Sequence, residues 1–404
     1  MPDKIRNSDW TAKSCDICGE SEDLSLLGSR TVILPSRLGR YEFKLEDVIC
    51  GRCGFVYAGK VPSDEFLNDF YRDAFTLESD IKRIEPDFNP DKRLEIIKKQ
   101  VPEGASIFEV GAATGEFCRI LNDKGYHAEG IDPLVKSSDH VAEKGLFSSC
   151  GNGTVTDLMD AAVSYYVLEH VTRPREWIKE VKRHLRPGGI LITEVPHFTR
   201  NPDESLYPQH MLHWTPVHLE VFLESFGFES VMTEERVISR SFGFVNVARL
   251  AEPDMDAMPS RGFLNNKYDV PRVFKDGTAA YGRGIQSRQN REKVFDDIGA
   301  KLIEMADMRD KTKIFFWPVN DISASISERI GNVTHVIPVD SSSSKIGSVY
   351  PGFNAPTSPP EFPRTDMSHR IFVLCSPSWN REIRKQLESM NLIGIEIVDG
   401  TGWQ

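Results

Sequence analysis

Long apolar runs are missing from this chain. No stretch of its 404 residues approaches the roughly 20 apolar positions of a membrane-spanning helix. Its first residues, Met-Pro-Asp-Lys-Ile-Arg-Asn-Ser-Asp-Trp, lack the apolar core of a secretory leader. Both absences predict a soluble, cytoplasmic protein with no membrane partner. Positive charge is short as well: 49 Lys and Arg face 60 Asp and Glu, for a net charge of −11. That argues against a protein that lives on nucleic acid or on an anionic surface. It still permits an anionic small molecule, because the charge in one cleft can oppose the global sign. Cysteine is sparse, seven in all, and three of the seven (Cys118, Cys150 and Cys375) are scattered as reduced core cysteines are. Internal repeats are absent, and Ser341–Ser344 is the only low-complexity piece.

What is present predicts two or three α/β domains. An apolar fraction of 40% supplies sizeable cores, and 27% charged residues is ordinary for a globular chain. Residues 1–75 mix short β-type runs, such as Arg30–Leu34 and Tyr41–Leu45, with glycine turns. Residues 80–250 alternate apolar strands with helical patterns, the signature of a parallel sheet with flanking helices. Residues 251–404 open with an irregular stretch rich in Pro, Gly, Asn and Arg (Glu252–Arg283). A charged helix over about Gln286–Arg309 and a second, smaller set of strands follow.

The other four cysteines stand in two pairs, Cys15-Asp-Ile-Cys18 and Cys50-Gly-Arg-Cys53. A CxxC turn puts two thiolates on one tight knuckle, and two knuckles close a tetrahedral zinc site. Gly19 and Gly54 follow the knuckles and allow backbone amides to turn toward sulfur. Residues 19–49 between them can form a β-hairpin. Four protein ligands leave no open position, so the expected Zn²⁺ is structural.

A glycine turn comes next. Ser106–Val110 reads as a strand, Glu109-Val-Gly111-Ala-Ala-Thr-Gly115 as the turn, and Glu116–Leu121 as the start of a helix. The dinucleotide pattern GxGxxG is absent. A second strand, His127–Ile131, ends at Asp132, placed to accept both hydroxyls of a bound ribose. An acidic residue ahead of the turn suits S-adenosylmethionine (SAM), which carries a cationic amino group and a sulfonium and has no pyrophosphate. A third apolar strand runs into Val167-Leu-Glu-His170-Val, then a helix, Arg186-Pro-Gly-Gly189, and the strand Ile190–Glu194.

These strings resemble class I SAM-dependent methyltransferases. The resemblance implies that Glu109, Gly111, Ala112 and Gly115 hold the methionine part, that Asp132 holds the ribose, and that Asn152 approaches the adenine. The whole chain resembles a narrower family, the three-domain methyltransferases of nucleotide-activated sugars, among them the dTDP-deoxysugar C-methyltransferases. Both CxxC knuckles, the segment Glu109–Glu194 and Val339-Asp-Ser-Ser-Ser-Ser-Lys-Ile-Gly-Ser-Val-Tyr-Pro-Gly352 carry this likeness. It implies an N-terminal zinc domain, a SAM domain and a C-terminal Rossmann-like domain without NAD. Its substrate would be a nucleotide-sugar.

The family uses a histidine at the end of the fourth strand, here His170, and a later Glu-His pair, here Gln209-His210. Glutamine is no base, which puts carbon methylation in doubt. Oxygen methylation needs only one base and alignment. His210 is the expected base, with His170 and Tyr71 in the catalytic set. Tyr71 is carried over from the family's tyrosine-rich segment at the domain junction. His197, past the Glu194 strand, and His213, on the face of His210 if that stretch is helical, are expected to line the substrate site. Each has a plainer reading as a core or capping residue. In the last domain, Phe316-Trp-Pro-Val-Asn-Asp-Ile-Ser323 lacks the glycines a dinucleotide needs. Arg283, Arg288 and Arg291 could touch a pyrophosphate or simply form a solvated helix face. Two other readings stay open: an O-methyltransferase acting on another small molecule, glycan or lipid, and an inactive SAM-domain assembly partner.

Overall fold

From the N-terminus of the computed structural model, strands β1 (Ile5–Arg6) and β2 (Trp10–Ala12) lead into a long hairpin, β3 (Leu24–Ser36) and β4 (Gly39–Cys50). Strands β5 (Val56–Ala58) and β6 (Lys60–Pro62) follow, then helix α1 (Asp64–Ala74). The structure describes residues 5–36, 39–74, 90–113, 115–132, 158–238, 241–307, 312–319, 321–331, 335–341, 346–347, 349, 353–362, 369–376, 379–390, 392 and 395–401. The hairpin fills the space between the cysteine knuckles: Leu24 pairs with Cys50 at its base, and Ser36 pairs with Gly39 at its tip. Alternation of apolar and polar residues along β4 buries Tyr41, Phe43 and Leu45 on one face. Phe66 and Phe70 on α1 meet Tyr41 and Phe43 edge-on, with centroids 5.1–5.4 Å apart. That contact fixes the rotation of α1, and with it the direction of Tyr71.

The second layer system begins with α2 (Pro90–Gln100), β7 (Ser106–Val110), α3 (Glu116–Asp123) and β8 (His127–Ile131). It continues with β9 (Met159–Tyr165), α4 (Pro174–Arg183), β10 (Leu185–Pro196), the short α5 (Pro202–Ser205) and β11 (Leu212–His213). It ends with α6 (Pro216–Glu224), β12 (Phe228–Ile238) and β13 (Ser241–Leu250). Six of these strands form one sheet in the order β12-β13-β10-β9-β7-β8. Pairing is parallel from β10 through β8, and β13 alone runs against its neighbours. The central parallel strands β7, β9 and β10 are buried on both faces, as their continuous apolar runs require, while the edge strand β8 alternates exposed and buried residues.

Strand β11 does not join that sheet. It pairs with β5 and completes the sheet β1-β4-β5-β11 of the cysteine segment. One apolar cluster runs from Tyr41, Phe55 and Phe70 to Phe108, Trp177, Trp214 and Phe222. The cysteine segment and the parallel sheet thus lie in one unit, Met1–Ile285.

The stretch Glu252–Arg283 was expected to be irregular because of its Pro, Gly and Asn. The structure corrects this: α7 (Arg261–Lys267) and the start of α8 (Val270–Asp307) lie there. Ser260 caps α7, accepting the Phe263 N–H at 3.1 Å. Gly277 and Gly284 of α8 are contact points. A Cβ on Gly284 would come within 2.6 Å of Leu206 Cδ1 and 2.9 Å of the Pro202 carbonyl.

The second unit, Gln286–Gln404, holds the rest of α8 and a four-stranded parallel sheet. Its elements are β14 (Lys313–Trp317), α9 (Asp321–Ile330), β15 (Val336–Pro338), β16 (Arg370–Leu374), α10 (Asn380–Ser389) and β17 (Ile395–Asp399), in the sheet order β15-β14-β16-β17. In the turn after β14, the Val319 N–H is taken by the Asp340 carboxylate at 3.2 Å. Among the described residues, no helix is long and apolar enough to cross a membrane.

Candidate functional site

The turn after β7 is built by three residues with positive φ: Gly111 at +78°, Ala113 at +46° and Gly115 at +73°. Gly111 and Ala112 donate their amides to the Ile131 carbonyl at 2.9 and 3.0 Å, which binds the turn to the end of β8. The Ala113 amide donates to Asp132 Oδ2 at 3.0 Å. A Cβ on Gly111 would lie 2.2 Å from Val167 Cγ2, so the turn passes directly under the loop that carries His170. Gly130 is as tightly placed, its virtual Cβ 2.4 Å from that of Ala112. Glu109 is buried at the end of β7 and accepts a hydrogen bond from Cys118 Sγ at 3.0 Å. Burial and that carboxylate both push the Cys118 thiol well above its ordinary value.

This arrangement fits SAM. Gly111 and Gly115 take the positive φ that the turn requires, α3 presents its N-terminus, and Glu109 and Asp132 supply carboxylates at two adjacent strand ends. Asn152 lies outside the described residues.

Across the same strand ends, the structure brings three predicted catalytic residues together. The hydroxyl of Tyr71 is 3.1 Å from His170 Nδ1. The rings of His170 and His210 meet edge-on with centroids 4.6 Å apart. The Gln209 carbonyl lies 3.2 Å from His170 Nδ1. Burial pushes the His170 imidazole down to about 4, against the upward pull of that carbonyl. At neutral pH the ring is a neutral base. Burial, and then the nearby Glu169 carboxylate, push the Tyr71 phenol up.

The structure also places a residue here that sequence reasoning passed over. Glu169 is 1% exposed, and its Oε1 is 3.9 Å from His170 Nε2. Glu169, His170 and His210 each offer an atom within 4.8 Å of the others. A carboxylate flanked by Leu168 and His170 at a buried strand end was the available signal, but glutamates are so common on surfaces that one sequence does not single it out.

The other two predicted histidines sit elsewhere. His197 is buried against Phe244, with its Nε2 3.4 Å from Glu235 Oε1 on β12. Burial lowers its basicity, and Glu235 partly restores it. His213 is not on a helix with His210. It lies in strand β11, stacked on Phe198, with Nε2 3.5 Å from Asp47 Oδ1. Asp47 is fully buried and also receives Arg30 at 3.3 Å and the Tyr281 hydroxyl at 3.2 Å. Arg283 donates to the Thr199 carbonyl at 3.1 Å.

The four paired cysteines converge. Cys15 Sγ is 3.5 Å from Cys53 Sγ, Cys18 Sγ is 3.6 Å from Cys50 Sγ, and all four thiols lie within 4.8 Å of one another. Zinc–sulfur bonds of ~2.3 Å in a tetrahedron space the sulfurs by about 3.8 Å. Gly19 and Gly54 take φ of +75° and +76°, and their amides close the knuckles onto the Cys15 and Cys50 carbonyls at 2.8 Å. This donor set fits a closed structural zinc. Around it, the Cys53 carbonyl accepts from His218 Nε2 at 3.1 Å and from the Tyr268 hydroxyl at 3.0 Å, so His218 takes the Thr215 hydroxyl proton at Nδ1, 2.8 Å away.

Residues 81–233 match the protein family described as "Methyltransferase domain". A probable S-adenosylmethionine-dependent methyltransferase of Mycolicibacterium smegmatis is 25% identical over 175 residues, 40% of this chain and 65% of that protein. A ubiquinone biosynthesis O-methyltransferase of Maricaulis maris is 28% identical over 101 residues, 22% of this chain and 40% of that protein. The chain thus spans less than two thirds of the length of these relatives. Among solved structures, the 1,6-didemethyltoxoflavin-N1-methyltransferase of Burkholderia thailandensis aligns with a TM-score of 0.39 at 15% identity, over 49% of this chain and 96% of that one. Residues 81–233 thus match a methyltransferase domain, and the fold of the segment is the class I Rossmann-like α/β fold.

Proposed function

We propose that this protein is a SAM-dependent methyltransferase whose acceptor is a nucleotide-activated sugar, deprotonated by the imidazole pair His170–His210. The observation that carries this reading is the juxtaposition at Gly111. Its Cα backs onto Val167, so the glycine turn and the histidine loop lie against each other at the carboxyl ends of β7 and β9. Bound SAM supplies an electrophilic methyl group on a sulfonium. Glu109, Gly111, Ala112 and Gly115 hold its methionine part, and Asp132 its ribose. His210 accepts the acceptor's proton, and Tyr71 fixes the ring of His170 beside it. Alignment and proton removal together are sufficient chemistry for in-line methyl transfer. A zinc in the cysteine cage braces the sheet that carries β11 and hence the backbone beside His210.

A second reading is O-methylation of another small molecule. Gln209 favours it, standing where the resembled C-methyltransferases have a carboxylate, and so does the similarity to a ubiquinone biosynthesis O-methyltransferase.

The test is a methyl-transfer screen with labelled SAM and dTDP-, GDP-, UDP- and CDP-sugars, 4-keto forms included, in deuterated water. Incorporation with solvent exchange beside the ketone means carbon methylation, and incorporation without exchange means an oxygen acceptor. SAM binding with no transfer to any sugar nucleotide would sink the sugar reading. Absence of SAM binding by calorimetry would leave an inactive assembly partner.

A further inference from the structure

We infer that Glu169 is the counter-ion of the imidazole pair: its buried carboxylate stabilises the imidazolium that forms when the acceptor's proton arrives. This rests on the methyl-transfer reading above.

The first support is the tautomer of His170. A carbonyl oxygen can only accept, so the Gln209 contact at 3.2 Å requires the proton on Nδ1. The Tyr71 oxygen, 3.1 Å from the same nitrogen, can then share that proton as an acceptor. The basic nitrogen of the neutral ring is therefore Nε2, which lies 3.9 Å from Glu169 Oε1. The carboxylate thus faces the basic side of the ring against which His210, the proton acceptor, packs.

The second support is how Glu169 is held. Its own carbonyl accepts the amides of Met211 at 2.7 Å and Leu212 at 3.1 Å. The residue is thus tied by its backbone to the segment that carries His210, and its carboxylate stays within 4.8 Å of both imidazoles. Tyr71 from α1 and Tyr207, whose ring meets His210 edge-on at 5.7 Å, are further titratable groups against the pair.

The third support is conservation of charge. The acceptor's bond to hydrogen breaks and the proton goes to an imidazole nitrogen. The acceptor atom keeps that electron pair and forms its new bond to the methyl carbon, and the electrons of the broken sulfur–carbon bond stay on sulfur. One positive charge vanishes at sulfur and reappears on the imidazole. A buried carboxylate at the place where charge develops lowers the barrier, because its dipoles and charge are already in position. Glu169 touches no substrate atom in this account and acts through the imidazoles, which makes it a positioning residue.

The experiment is an NMR titration of histidine-labelled full-length protein with S-adenosylhomocysteine present, in wild type, Glu169→Gln and Glu169→Asp. Resonances are assigned with His170→Gln and His210→Gln. The expected result is a drop of about one pH unit or more in the imidazole midpoint in Glu169→Gln, equivalent to a tenfold change, with Glu169→Asp in between. With an accepted substrate, kcat of Glu169→Gln falls about 100-fold while SAM affinity holds. Unmoved midpoints in a folded Glu169→Gln overturn the inference. If that variant does not fold, an unmoved midpoint in Glu169→Asp does the same. Stoichiometric Mn²⁺ broadening the same resonances also overturns it, because the group would then be a metal site. The titration needs no acceptor, so its outcome is independent of the methyl-transfer screen.

Discussion

Ala58 donates its backbone N–H to the Met211 carbonyl at 2.9 Å. Met211 in turn donates to the Glu169 carbonyl at 2.7 Å. A line of hydrogen bonds therefore runs from β5, just past the second cysteine knuckle, to the backbone beside both imidazoles. Loss of the metal cage should be felt at the base more than at the SAM turn. Cys15→Ser is expected to lower bound zinc and to cut methyl transfer at least tenfold, with SAM affinity changed only a few-fold. Metal analysis, calorimetry and turnover on one preparation check this. A zinc-free variant that keeps full turnover would refute the coupling.

Gly111→Ala tests the turn. The residue sits at φ +78°, and the new Cβ would lie 2.2 Å from Val167 Cγ2. We expect SAM affinity to fall at least tenfold and stability by about 1–3 kcal/mol. Gly104→Ala is the control: φ is +73° there too, but a Cβ meets nothing within 4 Å. It should cost about 1 kcal/mol and leave SAM binding alone. Equal effects of the two on SAM binding would mean that only backbone strain matters.

Tyr71→Phe removes the hydroxyl 3.1 Å from His170 Nδ1. Its ring, edge-on to His170 at 6.1 Å, keeps its packing. Turnover should fall about tenfold and stability change by no more than about 1 kcal/mol. Unchanged turnover would take Tyr71 out of the site.

Asp160 gives the pH prediction. Burial pushes its carboxyl up, but the Ser106 amide at 2.8 Å, the Ser106 hydroxyl at 2.9 Å and Arg186 outweigh it and hold the group below the usual range. A folded-state value below the unfolded one means stability present above the unfolded value, about 3.9, and lost as pH falls through the folded one. Urea denaturation should show Asp160→Asn less stable than wild type at pH 7 and the gap closing toward pH 3. A constant gap would contradict the linkage.

Much of this site could be read from the chain because its signals are local. The spacing of Cys15, Cys18, Cys50 and Cys53, the glycines around a β-to-α turn and the position of Asp132 are each set within a few residues. Backbone sterics and ligand geometry act at that range. The strands Ser106–Val110 and His127–Ile131 appear where their apolar runs put them. Glycine content misled at 261–283, where Gly277 serves a close helix contact with Ile49 and Val56 that composition does not reveal.

The sequence by itself determined the residue types for a metal knuckle, a SAM turn and a histidine base, since these follow from short-range spacing and chemistry. Only the tertiary structure decided which histidines lie together. His210 and His213 stand three apart, but β11 runs as a strand, so His210 turns to His170 and Glu169 while His213 turns to Asp47. The period of the local backbone settles that choice, and the pairing of β11 with β5, distant in sequence, sets the period.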